Sequence, residues 1–188
     1  MTALVLPIYE IEPFVREVAE RFGRKSVAGF APDDTLAHVT LIVPFLPPDR
    51  VTPPVEHGLE ELFARAAPVE FRLTGACGFP GGFVYLAVDS PSPIVALVRE
   101  IVARWPEAPP YGGRHSDVVP HVTVWDDPDG AVPDEVLRLV SGLQAVPVVA
   151  RDVELVSLTP PSWTVLRRFR LGGARAEEPS RLASGASA

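Results

Sequence analysis

Apolar and polar positions alternate along this chain in two rhythms, one of period two and one near 3.6. Residues 3–8 (ALVLPI) form a short apolar run that predicts a strand. Ile11, Phe14, Val15, Val18 and Phe22 then recur at helical spacing, and Gly23 is a natural stop. Residues 24–34 are polar and loop-like, and residues 36–43 (LAHVTLIV) are β-rich and end at Pro44. Val55, Leu59, Leu62, Phe63 and Ala66 mark a second amphipathic helix, weakened by Gly58. Residues 69–74 (VEFRLT) alternate strictly, the mark of a half-buried strand.

The second half begins with another strand, residues 83–88 (FVYLAV). Ser90 or Ser92 can cap a helix carrying Ile94, Leu97, Val98, Ile101, Val102 and Trp105. A loop with Pro106, Pro109, Pro110, Gly112 and Gly113 leads to a strand over 120–125 (PHVTVW). Pro133 and Asp134 open a short helix with Val136, Leu137 and Val140. Residues 146–158 and 162–171 read as a final strand pair joined through Pro160 and Pro161, and the small, polar stretch 172–188 predicts a disordered tail.

The order is strand, helix, strand, helix, strand, then the same again with one extra strand. His38-Val39-Thr40 returns 83 residues later as His121-Val122-Thr123, in the same place within each half. The predicted architecture is therefore α+β and duplicated. Residues 1–171 make one domain of two antiparallel-sheet lobes, roughly 1–80 and 81–171, around a central cleft with pseudo-two-fold symmetry.

Composition narrows the class. At 188 residues and 47% apolar content, the chain is one soluble domain with a sizeable core. A single cysteine, Cys77, forms no internal disulfide and fits a reducing compartment, so a cytoplasmic location is expected. The N-terminus lacks the basic start of a signal peptide, and no apolar run is long enough to span a membrane. The net charge of −7 argues against a broad grip on duplex DNA, while leaving room for a small phosphate ligand in a local pocket. Sixteen of the 17 basic residues are arginine, a bias that a GC-rich coding sequence explains on its own.

The chemistry rests on the repeated motif. Residues i and i+2 of a strand share a face, about 6.6 Å apart. His38 thus shares a face with Thr40, and His121 with Thr123, while Val39, Leu41, Val122 and Val124 point into apolar packing. Two identical polar pairs on apolar strands are costly if buried alone, so a shared wet cleft is expected. Two facing imidazoles suit a displacement in which one removes a proton from an oxygen nucleophile and the other protonates the leaving oxygen. In-line attack at phosphorus has that geometry, with the threonine hydroxyls donating to non-bridging oxygens. A metal centre is disfavoured: the motifs offer only two good ligands, and Asp126 and Asp127 lie beyond the second one.

The twin His38-x-Thr40 and His121-x-Thr123 motifs resemble those of the two-histidine phosphoesterase superfamily, which includes bacterial 2'-5' RNA ligases and 2',3'-cyclic-nucleotide phosphodiesterases. Their context agrees: HVTLIVPF, YGGRHSDVVPHVTVW and the closing SWTVLRRFRLG. The resemblance runs from about Ala3 to Gly172. It implies His38 and His121 as acid and base, Thr40 and Thr123 as phosphate ligands, and neither metal nor nucleotide cofactor for hydrolysis. The expected partner is a small nucleotide or an RNA terminus bearing a cyclic phosphate or a 2'-5' linkage, handled by a monomer. A nucleotide- or RNA-binding protein with the same cleft and no turnover is the competing class. Many RNA-acting members are basic and this chain is not.

Further candidates for substrate binding are Arg114 and Tyr111, in the loop before the second motif, and Arg168 and Arg170. The last two alternate with Trp163, Val165 and Phe169 on the opposite face of the final strand. His115 shares the loop with Arg114. His57 reads as surface and Cys77 as a small core or loop residue.

Overall fold

The computed structural model describes residues 1–24, 34–79, 82–114, 118–127, 131–159 and 162–173. His115, the Cys77 side chain and the chain beyond Gly173 lie outside the described part. The elements are β1 (Thr2–Pro7), α1 (Glu12–Phe22), β2 (His38–Ile42), α2 (Pro53–Arg65), β3 (Val69–Phe79), β4 (Phe83–Val88), α3 (Ser92–Arg104), β5 (His121–Asp126), α4 (Asp134–Ser141), β6 (Val146–Ala150), β7 (Asp152–Thr159) and β8 (Ser162–Arg170). No described helix is long and apolar enough to cross a membrane.

All eight strands join one antiparallel sheet in the order β6-β3-β4-β5-β2-β1-β7-β8. The two halves of the sheet do not follow the chain's midpoint. β3 leaves the first repeat to pair with β4 and β6 of the second. β7 and β8 cross back to cover β1. This exchange explains why residues 146–158 are two strands rather than one. β6 pairs with β3 and β7 pairs with β1, so the chain must break at Arg151 to reach opposite ends of the sheet. β3 likewise runs past Thr74, because Gly75 (φ 54°) makes a bulge that lets the strand continue along β4.

One face of the sheet carries the main core. Leu4, Leu6, Val39, Leu41, Val122, Val124, Leu73, Leu86, Val153 and Leu155 pack there against apolar stripes of all four helices, including Val15, Phe63, Ile101 and Val136. Packing crosses between repeats: α1 lies on β5, α3 on β2, α2 on β8 and α4 on β3. Among the described residues, the opposite face holds a small second cluster, Ala3, Val5, Val156 and Trp163. Helices therefore cover one side of the sheet, and the polar residues of the motif strands have the other.

Candidate active site

β2 and β5 meet at the centre of the sheet through one registered pair, Val39 opposite Val122. Both valines are fully buried, as are Leu41 and Val124, while the intervening His38, Thr40, His121 and Thr123 are each half-buried. Continued one residue either way, that register sets His38 opposite Thr123 and Thr40 opposite His121. The two imidazoles thus occupy diagonal corners of a rectangle about 6.6 Å along the strands and about 5 Å across them. The pseudo-two-fold axis passes between Val39 and Val122.

A second symmetric feature lies just past each motif. Thr40 pairs with Val5, but Leu4 pairs with Ile42; Thr123 pairs with Tyr85, but Val84 pairs with Trp125. Each motif strand thus carries one extra residue immediately after its threonine. A bulge there strengthens the local twist and re-aims the side chains around it.

Both rings are fixed alike. His38 Nδ1 lies 3.0 Å from the carbonyl oxygen of Leu36, and His121 Nδ1 lies 2.7 Å from that of Val119. A carbonyl only accepts, so Nδ1 carries the proton in both rings, and Nε2 is the nitrogen left for chemistry. Each ring also rests near an aromatic side chain: His38 against Trp163 at 4.9 Å and His121 against Tyr85 at 5.0 Å between centroids. The two aromatics are not symmetry mates. Tyr85 stands beside Thr123, whereas its counterpart beside Thr40 is the smaller Val5. Trp163, from the late strand β8, packs over Val5 and supplies the missing ring.

Electrostatics lower the proton affinity of both histidines. Burial, reinforced by the charges of Arg24 and His121, pushes His38 down to about 3 despite its bond to Leu36. The residue keeps some exposed surface but is densely surrounded by protein, so the charged form loses most of its hydration. His121 is also lowered, by burial first and then by Arg24, with the Val119 bond opposing.

The weaker candidates sit on two further elements. Tyr111 is half-buried in a short turn that packs against β2, at φ 53°, a left-handed conformation uncommon outside glycine. Burial raises its phenol pKa. Arg114 follows it and is exposed. The alternation expected in β8 is broken by a bulge at Leu166: Val156 pairs with Val165, but Leu155 pairs with Arg167. Trp163 and Val165 consequently share the face of Arg168 and Arg170, and only Phe169 is opposite, in the main core. Arg168 binds the buried Glu154 at 2.6 Å and Arg170 faces Asp152 at 3.3 Å. Because Glu154 pairs with Val5 and Val5 with Thr40, Arg168 stands three strand spacings, about 14 Å, from Thr40. Neither arginine is brought to the histidines.

A groove of about 790 Å³ between α2 and β8, lined by Arg65, Arg167, Arg168, Arg170, Glu60 and Glu61 among others, is separate from the histidines. Carboxylates there match guanidinium groups: Arg167 binds Glu56 and Glu60, Arg104 binds Glu61, and the β8 arginines have the partners just given. His57 is exposed beside Glu61 at 3.4 Å. Among the described residues, no three His, Cys, Asp or Glu side chains cluster to hold a metal ion.

Sequence reasoning passed over Arg24 as a charge within a polar loop. It is buried, with Nε 3.1 Å from Asp126 Oδ1 at the end of β5. The signal in the sequence was Asp126, a carboxylate closing the apolar run HVTVW.

The fold, a curled antiparallel sheet with helices on one face, has counterparts among solved structures. TT0787 of Thermus thermophilus matches 92% of this chain and 98% of its own at 21% identity and a TM-score of 0.61. Escherichia coli LigT complexed with 3'-AMP matches 90% of this chain and 97% of its own at 18% identity and a TM-score of 0.57. LigT complexed with NADP+ covers 90% and 96% at 16% identity and a TM-score of 0.56. At these identities the likeness is one of fold. The family model for the 2'-5' RNA ligase superfamily matches residues 8–160, and the chain belongs to that superfamily. Among curated proteins, none matches this chain.

Proposed function

We propose that the protein is a metal-independent phosphodiesterase of this superfamily, acting on a 2',3'-cyclic phosphate or a 2'-5' linkage of a nucleotide or RNA end, and able in principle to run the reverse ligation. The observation that carries the reading is the pair of histidines at diagonal corners of the central strands, each with Nδ1–H held by the carbonyl two residues upstream. Two Nε2 atoms across one phosphate can supply a base on one side and an acid on the other. One takes the proton of the attacking water or hydroxyl as its oxygen bonds to phosphorus. The other protonates the ribose oxygen as its bond to phosphorus breaks. Thr40 and Thr123, each opposite the other motif's histidine, donate to the non-bridging oxygens, whose charge grows in the transition state. LigT structures containing 3'-AMP, ATP and NADP+ support a small nucleotide as the partner class.

The test is turnover of a panel of 2',3'-cyclic mononucleotides and 2'-5'-linked dinucleotides in excess chelator, with wild type and His38→Ala. Turnover in chelator that His38→Ala abolishes is the expected result. Binding without turnover by wild type would move the protein to a nucleotide-binding role. Loss of activity in chelator, restored by one divalent ion, would establish a metal mechanism instead.

A further inference from the structure

Arg24 shares its hydrogen-bond acceptor with a motif histidine. Its Nη1 donates to the Leu36 carbonyl at 3.3 Å, and the same oxygen accepts His38 Nδ1–H at 3.0 Å. A carbonyl has two lone pairs, so one oxygen serves both donors. The other side of the guanidinium binds Asp126, and both side chains of the pair are only 3% exposed. The pair therefore ties the end of β5 to the segment that enters β2. α1 grips the same segment: Glu12 Oε2 accepts the Ala37 N–H at 2.7 Å, and Arg16 Nη2 donates to the Asp34 carbonyl at 2.5 Å.

Among the described residues this arrangement has no symmetric copy. The 83-residue offset that relates the motifs carries Asp126 onto Val43, which has no carboxylate to anchor a second guanidinium. The two histidines, already unlike in their aromatic neighbours, thus differ also by this buried ion pair.

We propose that Arg24, anchored by Asp126, is a positioning residue that makes the two histidines unequal: through the Leu36 carbonyl and its own charge it keeps His38 the neutral proton acceptor and leaves His121 to carry the proton. The inference rests on the acid–base reading above and deepens it. The guanidinium repels an imidazolium at both histidines, ranking directly after burial at His38 and behind burial and the Val119 bond at His121, and His121 from β5 also repels a charged His38; Asp126 and Glu12 offset the Arg24 cation in part. In hydrolysis of a cyclic phosphate, His38 Nε2 takes a proton from water as the water oxygen bonds to phosphorus. The ribose oxygen leaves with its bonding pair and takes the Nε2 proton of His121. The product monoester leaves His38 protonated and His121 neutral, and solvent exchange restores both.

The experiment is a pH titration of ¹⁵N-histidine NMR signals in the full chain, with His38 assigned from His38→Gln. Wild type should keep His38 neutral and Nδ1-protonated to the lowest pH at which the protein stays folded, while His121 titrates at higher pH. In Arg24→Met/Asp126→Leu, which removes both charges together, His38 should rise by about one pH unit or more, and His121 by less. Arg24→Gln/Asp126→Asn is the polar alternative and should behave alike. kcat/KM on a cyclic mononucleotide should gain an acidic limb in these variants that tracks His38. Wild-type His38 titrating above His121 would overturn the proposal, as would double variants that leave both histidines unmoved. The wild-type order alone decides if neither variant folds. Absence of turnover in wild type would defeat the phosphodiesterase reading and leave the NMR order standing as a separate result.

Discussion

The depressed proton affinity of His38 has a consequence for stability that needs no substrate. Folded His38 resists protonation until pH falls to about 3, whereas in the unfolded chain it protonates near 6.5. Above pH 6.5 both states hold it neutral, and it contributes no pH dependence. Between 6.5 and 3 the unfolded chain binds the extra proton, so stability falls as pH falls, by about 1.4 kcal/mol per unit at most. From pH 7 to 4.5 the full effect is about 2.7 kcal/mol. The residue keeps some exposed surface, so solvent relaxation reduces that to roughly 1–2.5 kcal/mol. The perturbation is His38→Gln, read by urea unfolding at both pH values. Carboxylates titrate alike in both proteins, so the comparison isolates His38. Wild type should lose roughly 1–2.5 kcal/mol more than the variant on acidification. Equal losses would refute the reasoning and place His38 in an ordinary aqueous environment.

The remaining expectations concern turnover and binding. His38→Ala and His121→Ala should each lower kcat by about 10²–10⁴-fold, and the double variant should be little worse than either, because the two act as a unit; fully additive losses in steady-state kinetics would argue against a concerted pair. Thr40→Val and Thr123→Val should each cost about 1–3 kcal/mol in kcat/KM, the scale of one hydrogen bond to a charged group, and losses as large as those of the histidines would assign them a different role. With a net charge of −7 and few phosphate contacts, affinity for a cyclic-phosphate RNA end should fall with a log-log salt slope of about −0.7 per contact, so two or three contacts give about −1.4 to −2.1; a much steeper slope would reveal an extended polyanion site.

Much of this site was legible because strand geometry is local. A period of two is enough to place His38 with Thr40 and Val39 on the opposite face, and repetition makes the pair conspicuous. The order of elements followed from the same patterns. What the sequence hid depends on events between strands. The exchange of β3 for β7 and β8 is a choice of partner, which alternation within one strand does not encode. The bulge at Leu166 reversed the facing of Trp163, and it leaves no mark in a run that reads as unbroken β. Arg24 hid for a different reason: a lone arginine after a helix stop looks solvated until the fold brings Asp126 to it from 102 residues away.

The exchange also explains how a site can rest on so thin a seam. β2 and β5 share only one registered pair, so backbone hydrogen bonding alone does little to hold the two motifs at a fixed spacing. The helices do more. α1, from the first repeat, packs on β5 of the second, and α3, from the second, packs on β2 of the first. Each motif strand is therefore held by a helix of the opposite repeat, with Val15, Val18, Ile94, Leu97 and Ile101 in the continuous core behind the valines of the motifs. The Arg24–Asp126 pair adds a polar tie across the same seam. Separating the histidines thus means opening that continuous core, and close-packed interiors deform in discrete steps rather than smoothly. A protein that must keep two proton carriers on opposite sides of one phosphate gains more from that stiffness than from a longer strand ladder.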